Sequence, residues 1–104
     1  MKKTTALIVA VATLAVAGNV LAAGDAAAGK SKAASCVACH GPGGNSVNPL
    51  WPKLAGQHAP YVVKQLKAFK SGARKDPMMS PMSMPLSDQD MENLGAYFAS
   101  EKPK

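Results

Sequence analysis

The chain has 104 residues, of which 12 are basic and 6 acidic, so its formal net charge is +6. This length fits one small domain. Because the basic residues are not interleaved with aromatic residues, the composition argues against nucleic-acid binding and favours an acidic protein as a partner. A domain this small rarely buries enough apolar surface to fold without additional support, such as a disulfide or a metal centre.

Residues 1–22 have the pattern of an export signal. Lysines at positions 2 and 3 precede an apolar stretch over residues 6–17, and residues 20–22 form a small-residue cleavage site. A retained membrane anchor is the alternative, but the apolar run is interrupted and is shorter than the roughly 20 residues that a spanning helix needs. We therefore predict a cleaved signal peptide, a mature domain of residues 23–104 and a periplasmic location.

The first predicted helix covers residues 26–35, with Asp25 as its N-cap. Most of its residues are small, which suits a close crossing with another helix. We expect Gly29 on this helix to lie against the region of Gly95, which belongs to the last predicted helix of the chain.

Cys36, Cys39 and His40 form a C-x-x-C-H motif directly after this helix, and the chain contains only these 2 cysteines. The motif is typical of sites where haem is attached covalently. Two thiols about one helical turn apart can each form a thioether with the porphyrin, and the next residue can bind the iron. We predict Cys36 and Cys39 as attachment sites and His40 as the proximal ligand through Nε2. The Nδ1–H group then needs an acceptor, for which we choose the carbonyl of Pro49.

Other uses of these two cysteines fit the sequence less well. A redox-active C-x-x-C pair is expected in a βαβ context, which the pattern lacks. A structural zinc site needs four ligands, and only His40 and His58 are available besides the two thiols. His58 would serve as the second axial ligand in a bis-histidine site. We predict instead that it is a partly exposed residue at the start of a helix.

Residues 41–52 contain three glycines and three prolines and are predicted to form a loop. A second helix is predicted from Pro60 to Ser71, with Gly72 as its stop. One of its faces is apolar and the other is basic, as expected for a surface helix. The residues of the two faces are Val62, Leu66 and Phe69 on the apolar side and Lys64, Lys67 and Lys70 on the basic side.

Residues 74–85 form a second predicted loop, which holds three prolines and four methionines. If the motif binds haem, a methionine from this loop is the expected sixth ligand, because His/Met ligation raises the reduction potential. Spacing alone does not choose among Met78, Met79, Met82 and Met84.

The third predicted helix begins at Ser87, where Asp90 completes a capping box, and Pro103 follows its end. Met91, Leu94 and Phe98 form its expected buried face. Since no segment has a convincing strand pattern, the sequence predicts an all-α domain with three main helices.

The chain resembles a small class I cytochrome c, in particular single-haem bacterial cytochromes of the c-553 kind and one half of dihaem periplasmic cytochromes. The resemblance extends over nearly the whole of residues 23–104. It rests on residues 36–41, Gly44-Asn45-Ser46, residues 51–57, Tyr61, residues 64–66, Gly72, Arg74, Leu86-Ser87-Asp88 and Ala96-Tyr97-Phe98. It implies the class I cytochrome c fold, with three main helices around one covalently attached haem. In that family the methionine ligand lies seven residues before the leucine of the Leu-Ser-Asp segment, which is Leu86 in this chain. The resemblance therefore implies Met79, with Met82 as the next choice.

The motif and the resemblance together predict a periplasmic one-electron carrier between redox proteins of a respiratory chain, not an enzyme. We expect it to be a monomer or a weak dimer whose redox partners dock at a basic surface formed by Lys64, Lys67, Lys70 and Arg74. Two alternatives stay open. One is a haem-based sensor or enzyme with an open sixth site, and the other is a periplasmic methionine-rich copper-binding protein, since thioethers select Cu(I).

Overall fold

A computed structural model describes residues 2–12 and 23–104. Within this part of the chain there are helices and turns but no strand. The five α-helices are α1 (Ala26–Lys32), α2 (Val37–His40), α3 (Ala59–Ser71), α4 (Met79–Ser83) and α5 (Asp88–Ser100). Two 3₁₀ turns, Ala33–Ser35 and Pro42–Gly44, flank α2.

The structure describes only part of the predicted signal peptide. Residues 2–12 are exposed and have no regular secondary structure. The predicted cleavage site and the second half of the apolar stretch lie outside the described residues. Among the helices of the described ranges, none has the length and apolar character required to cross a membrane.

The first helix begins at its predicted N-cap and ends earlier than predicted. Asp25 Oδ1 accepts hydrogen bonds from the N–H groups of Ala27 at 2.9 Å and Ala28 at 3.2 Å, which satisfies two free donors of the first turn. The predicted single helix over residues 26–35 is wrong in its last turn, because Ala33–Ser35 form a 3₁₀ turn. There Cys36 N–H donates to Ala33 O at 2.8 Å, a bond that spans only three residues.

The crossing of α1 and α5 depends on small residues, as predicted, but with a different pairing. A Cβ atom on Gly29 would collide with the backbone carbonyl of Asn93 and would lie 2.8 Å from Tyr97 Cβ. Gly95 does not face Gly29. It lies against Ala59 at the start of α3, where an added Cβ would be 2.9 Å from the carbonyl oxygen. The expected contact between Gly29 and Gly95 is therefore wrong, since Gly95 lies on the side of α5 that packs against α3.

Helix α3 corresponds to the second predicted helix and agrees with its predicted pattern. It has Pro60 in its first turn and stops at Gly72, which has the left-handed φ of 84° that favours glycine at this position. Its apolar face turns inward and packs on α5. The lysines at positions 64, 67 and 70 are exposed on the opposite side.

The core lies between α1, α3 and α5. Ser87 and Asp90 form the predicted capping box at the start of α5. The main buried side chains are Ala33, Val62, Val63, Leu86, Met91, Leu94, Tyr97 and Phe98. The C-x-x-C-H motif meets this core through Cys36, which is half-buried and packs against the edge of the cluster.

The second predicted loop contains a helical turn that the sequence reading missed. Helix α4 occupies Met79–Ser83 despite Pro81, which stands in the first turn, where a proline costs no intrahelical hydrogen bond. Asp76 starts the turn, because its Oδ1 accepts from the N–H groups of Met78 at 2.9 Å and Met79 at 2.8 Å. The methionine segment is thus an ordered turn that packs against α3.

Candidate functional site

The two cysteines lie on one turn at the entrance of α2. Cys39 N–H donates to Cys36 O at 3.2 Å and His40 N–H donates to the same oxygen at 2.9 Å. Both thiols are free and half-buried. Burial raises the pKa of the Cys36 thiol above its usual value of 9.0, so this group is protonated near neutral pH. Two unpaired thiols on one turn therefore accompany the histidine, as the motif predicts.

His40 is buried and its ring is oriented by a single backbone contact. Only 7% of the residue is exposed, and Nδ1 lies 2.8 Å from the carbonyl oxygen of Pro52. Because a carbonyl oxygen only accepts, Nδ1 carries the proton and Nε2 keeps its lone pair for a metal. A proline carbonyl is the acceptor, as expected, but it belongs to Pro52, and the choice of Pro49 is wrong.

The fold of the loop explains why Pro52 is the acceptor. The carbonyl oxygen of Gly44 accepts hydrogen bonds from Leu54 N–H at 2.8 Å and Ala55 N–H at 3.1 Å. These bonds return the second half of the loop to the segment just after His40. The Pro52 carbonyl therefore comes close to the imidazole, although the residue itself is exposed, as is Pro49. No local sequence signal distinguishes the two prolines.

One of the four loop methionines differs from the other three in its exposure. Met78, Met82 and Met84 are 52%, 43% and 57% exposed, whereas Met79 is half-buried. Hydrogen bonds from the backbone of Met79, and then of Met78, lower the pKa of the Asp76 carboxyl below its usual value. Asp76 is thus a carboxylate at neutral pH and fixes the turn that carries Met79. The sequence reading missed this residue, although a helix-capping aspartate is a recognisable local signal.

The residues around the motif fit a covalently attached haem. The two free thiols suit attachment of the porphyrin, and an imidazole with its Nε2 lone pair available and the thioethers of residues 74–85 are donors suited to haem iron. Several large apolar side chains of residues 41–52 and 74–85 are exposed to solvent, and a flat apolar group such as haem could pack against such side chains. They are Val47, Leu50, Met78, Met82 and Met84. His58 is exposed at the N-cap position of α3, as predicted.

The four predicted docking residues are all exposed, but they differ in their contacts. Lys70 Nζ donates to the carbonyl oxygen of Leu86. Arg74 donates to Gln65 Oε1 at 2.8 Å and its guanidinium lies 4.5 Å from the centre of the Phe69 ring. Lys64 and Lys67 line a shallow groove between α3 and α5. Two of the four residues are therefore partly committed to contacts within the domain.

Comparison with known proteins identifies the family. The family model described as Cytochrome c matches residues 26–102. The chain belongs to the cytochrome c family. It is 56% identical over 79 residues to cytochrome c4 of Thiocapsa roseopersicina, an alignment that covers 75% of this chain and 41% of the relative. It is 45% identical over 83 residues to cytochrome c-554(548) of Halomonas halodenitrificans, which covers 77% of this chain and 100% of the relative.

Solved structures agree with this assignment. The structure of reduced recombinant cytochrome c4 from Pseudomonas stutzeri superposes with a TM-score of 0.75 at 49% identity, over 79% of this chain and 48% of that one. The all-α class I cytochrome c fold is thereby confirmed, as are the predicted resemblance to one half of a dihaem cytochrome and the c-type haem cofactor. The chain spans about half the length of the cytochrome c4 relatives that it matches.

Proposed function

We propose that this protein is a one-electron carrier that uses one covalently bound haem and shuttles electrons between redox proteins of a respiratory chain. The observation that carries the proposal is the buried His40. It follows two free cysteines directly, and its Nδ1 hydrogen bond to Pro52 leaves Nε2 available for iron. Family membership supports electron transfer and not catalysis as its role.

We assign each site residue one role. Cys36 and Cys39 form the two thioether bonds to the haem, His40 is the proximal iron ligand and Met79 is the distal one. The half-buried position of Met79 and its fixed backbone support this choice over the exposed Met82. When bound, the haem supplies a metal that gains and loses one electron without breaking bonds.

The chain's own residues favour electron transfer at this site and disfavour reaction of a substrate with the metal. Pro52 fixes the orientation of the His40 ring, so the ligand does not have to turn when the charge of the metal changes. Ligation by two side chains would leave no position for a substrate. The thioethers fix the cofactor to α2, and its location therefore depends on the fold and not on a binding equilibrium.

The partner proteins are proposed from surface charge and from similar proteins. The chain is 44% identical over 79 residues to a thiosulfate dehydrogenase electron acceptor of Thiomonas intermedia, covering 74% of this chain and 36% of that protein. We propose that an acidic redox partner docks at Lys64 and Lys67, with Lys70 and Arg74 at the edge of the contact. The groove that Lys64 and Lys67 line is also lined by two apolar residues, Pro60 and Val63, and by Glu92 of α5.

The docking surface is tested by charge reversal. Lys67→Glu should slow reduction by an acidic partner at low ionic strength, and the difference from wild type should disappear in high salt, where charges are screened. Lys30→Glu is a matched control, because Lys30 is exposed on α1 and the same charge change is made outside this surface. Equal effects of the two variants would mean that only net charge matters.

The export pathway completes the proposal. We propose that residues 1–22 are removed as a signal peptide and that residues 23–104 function in the periplasm, where the haem is attached. Mass spectrometry of the exported protein tests both statements. The expected mass is that of residues 23–104 plus one haem, and a mass that retains the leader would contradict the cleavage.

Absorption spectroscopy tests the function itself. Protein exported from a host with haem-attachment machinery should show sharp reduced c-type bands that survive extraction with acid and acetone. The oxidised form should show a weak red sulfur-to-iron band. Rapid binding of carbon monoxide to the reduced protein would instead indicate an open site and a sensor or enzyme. A colourless protein that takes up Cu(I) would favour copper binding.

A further inference from the structure

The segment that follows α5 lies across the loop after the C-x-x-C-H motif. Asn45 in this loop donates from Nδ2 to Lys102 O at 3.1 Å, and its Oδ1 accepts from Lys104 N–H at 2.7 Å. One side chain therefore binds the backbone of two residues that are 57 and 59 positions away in sequence. We call residues 102–104 the strap.

The strap also contacts the far end of the same loop. Lys53 Nζ donates to Lys104 O at 2.8 Å. Pro103 packs closely on Gly56, where an added Cβ atom would lie 2.9 Å from Pro103 Cγ. The strap thus joins Asn45, near the start of the loop, to Gly56 at its end.

Three hydrogen-bonded contacts, joined by short stretches of backbone, lead from the strap to His40. Gly44, the neighbour of Asn45, accepts from Leu54 N–H at 2.8 Å. Leu54 is two residues after Pro52, whose carbonyl oxygen lies 2.8 Å from His40 Nδ1. Displacement of Asn45 would therefore loosen the backbone that holds the acceptor of the His40 ring.

We propose that Asn45 is a positioning residue: by binding the strap, it holds the Pro52 carbonyl against His40 Nδ1 and so tunes the electron donation of the imidazole to iron. This inference rests on the proposed ligation of haem iron by His40. A firm Nδ1–H hydrogen bond makes the imidazole a stronger donor, which favours oxidised iron. Loosening that bond should raise the midpoint potential.

The test uses the reduced holoprotein with Asn45→Ala, with residues 102–104 deleted, and with both changes. Proton NMR measures the exchange of the His40 Nδ1 proton with water, and a redox titration measures the midpoint potential. Each single change should accelerate exchange by about threefold to tenfold, the net effect of one hydrogen bond, and raise the potential. The double variant should give the same values as the deletion alone, because the deletion has already removed the contact that Asn45→Ala removes.

Two further variants separate positioning from general loss of stability. Asn45→Asp keeps the acceptor for Lys104 N–H but cannot donate to Lys102 O, and should give an intermediate result. Ser87→Ala removes a bond of the same kind, from Asp90 N–H at 3.0 Å, at the opposite end of α5, and should leave exchange and potential unchanged.

The outcomes distinguish this inference from the proposed function. If Asn45→Ala gives the same exchange rate and potential as Ser87→Ala, or if the two strap changes act additively, Asn45 does not position the ligand. In both cases the carrier function would stand. Wild-type protein without covalent haem would overturn the proposed function and this inference with it, and the absorption spectrum reveals that before any variant is made.

Discussion

The Nδ1 atom of His40 lies 2.8 Å from the carbonyl oxygen of Pro52, a residue 12 positions further along the chain. His40 itself is held by one short helix, which positions its Cα atom but does not fix the rotation of its ring. The loop fixes this rotation through the Pro52 carbonyl. The orientation of the ring therefore depends on how residues 41–57 fold, and changes in this loop should be detectable at the iron.

Substitution of Pro52 tests this dependence. Pro52→Ala keeps the backbone acceptor but frees the chain in the unfolded state, so we expect a loss of about 0.4–1 kcal/mol in the free energy of unfolding. The exchange of the His40 Nδ1 proton should also become faster. Urea denaturation measures the first effect and proton NMR of the reduced protein measures the second.

Pro49→Ala is the matched control for this prediction, because Pro49 lies in the same loop and is exposed. It should cost a similar free energy of unfolding, since the entropic effect of losing a proline is of the same kind. The exchange rate at His40 should stay at the wild-type value. An acceleration as large as in Pro52→Ala would show that loop stiffness alone, and not the position of this carbonyl, governs the ring.

The methionine ligand is tested by replacing one thioether at a time. Met79→Leu keeps the size and apolar character of the side chain and removes the sulfur, so the folded domain should persist. We expect the oxidised protein to lose its weak red absorption band and the reduced protein to bind carbon monoxide. Met82→Leu alters a side chain that is 43% exposed and should keep the band. Loss of the band in Met82→Leu alone would move the ligand to that residue.

Local signals in the sequence were sufficient to predict three of the helix ends. The N-cap at Asp25, the glycine stop at Gly72 and the capping box of Ser87 with Asp90 each involve residues within a few positions of one another. Such contacts are determined by backbone donors at the helix ends and do not require the rest of the fold. The C-x-x-C-H motif is equally local, which is why its geometry could be anticipated.

Two of the errors concern contacts between distant segments. The choice between Pro49 and Pro52 depends on the bonds from residues 54 and 55 back to Gly44. The partner of Gly95 depends on which side of α5 meets α3. Helix α4 was missed because the prolines of residues 74–85 were given more weight than the cap at Asp76. Only this last error could have been avoided from the sequence.

The capping box of α5 should make stability depend on pH. Ser87 N–H donates to Asp90 Oδ2 at 2.9 Å and Lys32 Nζ lies 3.4 Å from the same oxygen. The Ser87 backbone, followed by its side chain and Lys32, holds the pKa of Asp90 below its usual value of 3.8. Because the pKa of the folded state is depressed, the stabilisation is present above the usual pKa and is lost as pH falls through the folded-state value.

Asp90→Asn should therefore unfold more easily than wild type near neutral pH. The expected difference is a few tenths to about 1 kcal/mol, since this surface group is screened by solvent. The gap should shrink as the pH is lowered through the range where the wild-type carboxyl gains its proton. Urea denaturation at a series of pH values measures it. A gap that is the same at all pH values would assign the effect to packing and not to charge.

Ser83 gives a prediction of the opposite sign. It is fully buried in α4, and its Oγ has no hydrogen-bond partner within the described part of the chain. A buried hydroxyl without a partner costs about 1–3 kcal/mol. Ser83→Ala should therefore raise the free energy of unfolding by about 1 kcal/mol, because it removes the hydroxyl and leaves only a small void.

Ser80→Ala is the control for this prediction, because it removes a hydroxyl from the same short helix. Ser80 Oγ accepts from Asp76 N–H at 3.0 Å, so its loss leaves a backbone donor without its partner and should destabilise the domain. Thermal unfolding of the two variants should shift the midpoint in opposite directions. If Ser83→Ala were also destabilising, the hydroxyl would have to be paired in solution, and a buried water between α4 and the core would be the physical explanation.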